Sequence, residues 1–158
     1  MKKKLIKVFT LIAIAVPVVA LVFYQSQVYL GEQAIKATGL NKMSYSEALI
    51  QAEKDKRFVL VDMSAIWCPA CRKLNREVLV KDSVKAVINQ HYIYTRLEYE
   101  TDEGKQFMQR HGLKGFPTLL ILDSKGNKIW QLPLTFDPEL FIEYLNDFIE
   151  LKKADELV

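Results

Sequence analysis

From Val8 to Tyr24 the chain carries no charged residue, and only Thr10 interrupts the run as a weakly polar one. As a helix these residues span about 25 Å, the short end of what crosses a hydrocarbon core about 30 Å thick. Leu5 and Ile6 can lengthen the span, with Lys7 reaching back toward the headgroups. Lys2, Lys3, Lys4 and Lys7 precede the run and hold the N-terminus in the cytoplasm, which sends the remainder of the chain outward. A cleaved signal segment is the competing reading, because Val18-Val19-Ala20 after Pro17 loosely resembles a cleavage site. Apolar residues continue through Leu21, Val22, Phe23 and Tyr24, which favours an uncleaved anchor. Both readings export the rest of the chain. No cysteine lies near the end of the run, so a lipid-modified anchor is not indicated.

This segment also explains the net charge of +3. Setting aside its four lysines leaves 18 cations against 19 anions. A basic chain would raise nucleic-acid binding, but here the excess belongs to the anchor, and no nucleic-acid partner is expected. The length of 158 residues leaves room for one domain beyond it.

Three regions follow: residues 1–24 as anchor or signal segment, 25–43 as a tether, and 44–158 as a folded domain. The stretch from Gln25 to Lys42 is polar and mixed, with Gly31 and Gly39. It reads as a tether lifting the domain off the bilayer, although a helical continuation of the anchor through Gln33 to Lys36 stays open. Ser44 with Glu47 three residues on forms a capping box, and Tyr45, Ala48, Leu49 and Ala52 give the following helix an apolar stripe. Phe58 to Val61 is a continuous apolar run, as in a strand buried on both faces.

A turn of Ala65, Ile66 and Trp67 leads to a helix starting near Cys68. Asp82 caps a further short helix. His91 to Tyr99 reads as a strand, and Asp102 caps a helix that Gly112 ends. Thr118 to Leu122 is another buried strand, joined through the turn Ser124-Lys125-Gly126-Asn127 to a partner over Lys128 to Leu132. Asp137-Pro138 opens a final helix. Strands separated by helices predict parallel pairing, with an antiparallel edge from the late hairpin.

The chain has two cysteines, Cys68 and Cys71, separated by Pro69 and Ala70. A disulfide across two residues closes so small a loop that it constrains the unfolded chain little. Reactivity explains the pair better. At a helix N-terminus Cys68 meets unpaired backbone N–H groups and the positive end of the dipole, which favour an accessible thiolate. Cys71, one turn on, can resolve a mixed disulfide. Half a zinc site would require two more ligands, and His91 and His111 sit at spacings unlike a zinc module. No metal and no cofactor is expected.

Trp67-Cys68-Pro69-Ala70-Cys71-Arg72, preceded by Val59-Leu60-Val61-Asp62 and followed by Gly115-Phe116-Pro117-Thr118, resembles the thioredoxin superfamily over Ser44 to Leu151. It is most similar there to the C-terminal thioredoxin-like domain of DsbD-type thiol:disulfide interchange proteins, through the extra segment around Asp82-Ser83-Val84-Lys85 and the stretch Glu98 to Pro117.

The resemblance implies an α/β thioredoxin-like fold, a central mixed sheet flanked by helices, behind the N-terminal transmembrane helix. It implies Cys68 as nucleophile, Cys71 as resolving thiol, and Asp62 buried beneath them with a raised pKa, taking a proton from Cys71. Trp67, Pro69, Phe116, Pro117 and Thr118 would form the substrate surface, with Pro117 in a cis peptide and the Phe116 backbone free to pair with an extended segment. Arg96 stands where thioredoxin has a lysine, and an arginine cannot relay a proton.

The expected function is a thiol-disulfide oxidoreductase on protein disulfides outside the cytoplasm, a reductant or electron relay. Its domain would face the periplasm or cell exterior, and its electron donor or acceptor would lie in the membrane. The alternatives are a redox-inert chaperone or assembly module on the same fold, and a thiolate metal-delivery protein.

Overall fold

The computed structural model describes residues 2–40 and 43–156. Helix α1 (Lys2–Thr38) leads into α2 (Tyr45–Asp55), β1 (Phe58–Ser64) and α3 (Pro69–Leu74). A π-helical turn (Asn75–Leu79) joins α3 to α4 (Asp82–His91), which is followed by β2 (Tyr92–Glu98) and α5 (Asp102–His111). The chain ends with the hairpin β3 (Thr118–Leu122) and β4 (Lys128–Gln131), then α6 (Pro138–Glu156).

Local chemistry sets several boundaries. Ser44 and Glu47 close the capping box at α2, each accepting the other's backbone N–H. Lys56 ends that helix in the left-handed region at φ 52°. Gly112 ends α5 there at φ 63°, a conformation that costs glycine nothing. Asp137 accepts the N–H groups of Glu139 and Leu140 at the start of α6.

Two expected caps move by one residue. Thr101, not Asp102, accepts the Gly104 N–H at 3.0 Å. Asp82 lies inside the first turn of α4, with Lys81 at the cap position. Acidic residues favour both places, the cap by hydrogen bonding and the first turn through the dipole, so sequence separates them poorly. His91 closes α4 instead of opening the strand.

The sheet order is β2-β1-β3-β4. β1 and β2 are parallel, with Asp62 opposite Arg96 and Ser64 opposite Glu98. β1 and β3 are antiparallel, with Met63 opposite Thr118. This departs from the parallel pairing expected of helix-separated strands. α5 and the segment 112–117 bring the chain back to the end of the sheet that β2 has just left, so β3 starts there and runs the other way.

Two apolar layers sandwich the sheet. Leu60, Tyr92, Leu119 and Ile121 pack toward α3, the π-turn, α4 and α6. Val59, Val61, Met63, Ile93 and Leu97 pack toward Tyr45, Ala48, Ala52 and Phe107 of α2 and α5.

The region expected as a tether is helical. α1 continues from the apolar run to Thr38 as one helix. From Phe9 to Ser26 every side chain is exposed, whereas Gly31, Ala34 and Thr38 are buried. That spacing is one helical face, and it packs on α3 and the π-turn. The stretch reads as irregular in sequence because only this narrow stripe of small residues needs to be apolar. Among the described residues α1 is the one helix long and apolar enough to cross a membrane, by length and composition. It fits an anchor or a signal segment.

Candidate functional site

The site forms where β1, α3 and the start of β3 converge at one end of the sheet. β1 delivers the chain at Ser64, the turn Ala65–Trp67 redirects it, and Cys68 becomes the cap residue of α3 with extended backbone at φ −73°, ψ 121°. Pro69 occupies the first helical position, where its missing N–H costs nothing. Cys68 Sγ accepts the Cys71 backbone N–H at 3.1 Å. Both cysteines are free thiols.

This geometry divides the two sulfurs. The hydrogen bond from the Cys71 thiol, joined by the backbone N–H groups of Cys71 and Ala70, lowers the Cys68 thiol to about 6 against the opposing effect of burial. The Cys71 thiol is pushed well up, first by holding its proton for Cys68 and then by burial. One sulfur is therefore a thiolate at neutral pH and its neighbour keeps a proton.

Accessibility differs from the expectation. Cys68 is only 5% exposed and Cys71 2%. Trp67, Ala70, Tyr99 and Phe116 pack against the pair. The Trp67 and Phe116 rings meet edge to face at 5.5 Å, and Tyr99 lies 5.2 Å from Phe116. Trp67 is fixed further by its indole N–H, which donates to Glu100 at 2.6 Å. An aromatic lip thus covers the acidic sulfur.

Phe116-Pro117 is a cis peptide, and the Phe116 carbonyl oxygen lies 3.9 Å from Cys68 Sγ. Pro117 is buried, Pro69 is exposed, and Phe116 and Thr118 are half-buried. The Thr118 hydroxyl donates to the Gly115 carbonyl at 2.8 Å. The structure thus sets Trp67 and Phe116 against the pair, with Pro69 next to Cys68 and with Pro117 and Thr118 following Phe116 along the chain. His91 ends α4, and His111 lays its ring on Phe107 at 4.3 Å.

Asp62 is fully buried on the α3 side of β1. It accepts hydrogen bonds from the Ser64 hydroxyl and, at 3.0 Å, from the Tyr94 hydroxyl. Burial raises its carboxyl pKa, with Arg96, Ser64 and Tyr94 pulling the other way. Arg96 Nε stands 3.9 Å from the carboxylate, while Arg96 Nη1 donates to Glu98 at 2.8 Å.

The other Glu98 oxygen accepts the Ile66 N–H at 2.9 Å, tying the loop before Cys68 to β2. Sequence reading missed Ser64, Tyr94 and Glu98. The signal was present in the strand period: Ser64 is two residues from Asp62, and Tyr94 and Glu98 are two either side of Arg96.

A family model described as thioredoxin-like matches residues 40–124. UBX domain-containing protein 2 of Schizosaccharomyces pombe is 31% identical over 118 residues, 74% of this chain. The thiol:disulfide interchange protein DsbD of Colwellia psychrerythraea is 27% identical over 81 residues, half of this chain. The chain spans 28% and 13% of the lengths of these two proteins. A thioredoxin from Thermus thermophilus superposes with a TM-score of 0.63 at 25% identity, covering 70% of this chain and 87% of that one.

Proposed function

This chain belongs to the thioredoxin-like family, and from that premise we propose that it exchanges thiols and disulfides with protein substrates outside the cytoplasm, as a reductant or electron relay. One observation carries the reading: two neighbouring sulfurs with opposite proton affinities. Cys68 is lowered to about 6 and Cys71 is raised, above a buried acid.

In the reducing direction the Cys68 thiolate attacks one sulfur of a substrate disulfide. A Cys68–substrate bond forms, the substrate's own S–S bond breaks, and the departing thiolate takes a proton from solvent. Cys71 then passes its proton to the Asp62 carboxylate and attacks Cys68 Sγ, releasing the second substrate thiolate, which is protonated in turn. The substrate gains two electrons, and the pair becomes a disulfide. Asp62 suits the proton step because a buried carboxyl with a raised pKa holds a proton more readily than a solvated one.

Trp67, Pro69, Phe116, Pro117 and Thr118 receive the substrate, with the Phe116 carbonyl beside the reacting sulfur as a main-chain hydrogen-bond acceptor. The aromatic lip makes access conditional on a segment that displaces it. The pairing of a tuned nucleophile with a buried acid speaks against a redox-inert scaffold, which needs neither.

The test is equilibration of the purified chain against glutathione, with a Cys71→Ala variant to hold the mixed disulfide. A potential near or below about −270 mV supports a reductant, and one near about −120 mV reverses the direction. A Cys71→Ala chain that forms no mixed disulfide with any protein substrate would remove the exchange reading.

A further inference from the structure

α1 does more than connect. Gly31 sits so close to the active-site loop that a Cβ there would lie 1.9 Å from the Ile66 carbonyl oxygen. Four residues nearer the apolar run, Gln27 Oε1 accepts from Arg72 Nη1 at 2.9 Å. Ala34 and Thr38 continue the same buried face. The helix that emerges from the apolar run is therefore docked on both sides of the cysteine pair, at Ile66 before it and Arg72 after it.

The level of the pair along α1 follows. Gln27 and Gly31 lie three and seven residues beyond Tyr24, the last of the apolar run, or about 5 and 10 Å of helical rise. Headgroup layers are roughly 5–8 Å deep on each side of the hydrocarbon core. Aromatic residues on α1 mark the same level: Tyr24 at 41% exposure and Tyr29 at 61%. Tyrosine and tryptophan favour that interface.

We propose that α1 is a fixed strut holding the Cys68–Cys71 pair at the headgroup level, so that the site serves a disulfide displayed at the bilayer surface by an integral membrane protein. The inference rests on the exchange reading above and on α1 staying in the bilayer as an uncleaved anchor, and it adds the partner class. A flexible tether would let the domain sample distant soluble substrates, whereas a docked helix confines it. Reach thus becomes a selectivity filter, with a high effective concentration for thiols in the same membrane.

The experiment uses the full chain, reduced, in phosphatidylcholine vesicles containing a phosphatidylethanolamine whose headgroup carries a pyridyl disulfide. The Cys68 thiolate attacks the lipid-side sulfur, and pyridinethione leaves and is read by absorbance. Cys71 then displaces the lipid thiolate, which takes up a proton as the pair is oxidised. Soluble dipyridyl disulfide is the control.

A helical heptad of alanine, glutamate and lysine inserted between Gln25 and Ser26 raises the domain by about 10 Å while turning it only about 20°. The expected result is a fall of about tenfold or more in the lipid-linked rate with the soluble rate unchanged. Gly31→Leu, which unseats the strut without lengthening it, gives a smaller fall in the same ratio. Equal lipid-linked rates for wild type and heptad variant would overturn the strut. Failure of the wild type to react with either probe would instead overturn the exchange chemistry beneath it.

Discussion

One face of β1 carries Val59, Val61 and Met63, and the other carries Leu60, Asp62 and Ser64. The first face meets α2 and α5 through an apolar layer, closed by an edge-to-face contact of Tyr45 and Phe107 at 5.4 Å. The second meets α3 and buries a carboxylate, a guanidinium and two hydroxyls at the cysteine end of the sheet. Burying charge is costly, and a well-packed apolar replacement is often neutral or better for stability. The polar set occupies the cysteine end of one face, where the proposed exchange chemistry would use it, while the apolar layers supply the hydrophobic burial.

The strongest way to break this contrast is on the apolar face. Phe107→Ala is expected to cost about 3–5 kcal/mol in denaturant unfolding, with the Cys68 alkylation rate unchanged in the folded protein. A changed alkylation rate would show that the two faces are not separable.

On the polar face Asp62→Asn, with Cys71 intact, is expected to slow resolution of the mixed disulfide by about 100-fold. It should also stabilise the protein as pH rises. A carboxyl whose folded pKa is raised contributes stability below its unfolded value and loses it as pH climbs through the folded value. The Asn variant therefore gains on the wild type toward alkaline pH, by about 1.4 kcal/mol for each unit of displacement. Parallel unfolding curves at pH 4 and pH 8 for both chains check the sign.

Cys68 titrates the other way. With its pKa lowered to about 6, iodoacetamide modification of the reduced protein should rise through that pH and level off above it. Rates that keep climbing through pH 8 would mean that the sulfur is not tuned.

The smallest effect belongs to Glu98. Glu98→Gln removes a negative neighbour that raises Asp62 and leaves more of the Arg96 charge to it. The pH profile of mixed-disulfide resolution should move slightly toward lower pH, since Glu98 is the smallest of the influences on Asp62. An upward move would place Glu98 outside the network.

Much of this was legible along the chain because its causes are local. The Ser44–Glu47 box, the αL glycine at 112, the Asp137-Pro138 start and the apolar strand runs each depend on a few consecutive residues. The cysteine pair, Asp62 and Phe116-Pro117 were legible as a familiar set, and the structure gathers them at one end of the sheet. Glu98 was not: its role depends on standing opposite Ser64 in a parallel register. The lip over Cys68 was not either, because Trp67, Tyr99 and Phe116 come from three separate segments. A helical course through residues 25–38 was one of two open readings, and its docking was not legible, because the buried stripe of Gly31, Ala34 and Thr38 is too narrow to stand out until a partner surface exists.

By itself the sequence determined the apolar helix, the kinds of elements that follow it and the chemistry available at two sulfurs, since side-chain transfer energies and backbone preferences act within a few residues. Only the tertiary structure decided the direction of β3, the shielding of Cys68, the company Asp62 keeps and the docking of Gly31 on Ile66. Those outcomes depend on which distant surfaces are pressed together, and burial and charge act through space without regard to separation along the chain.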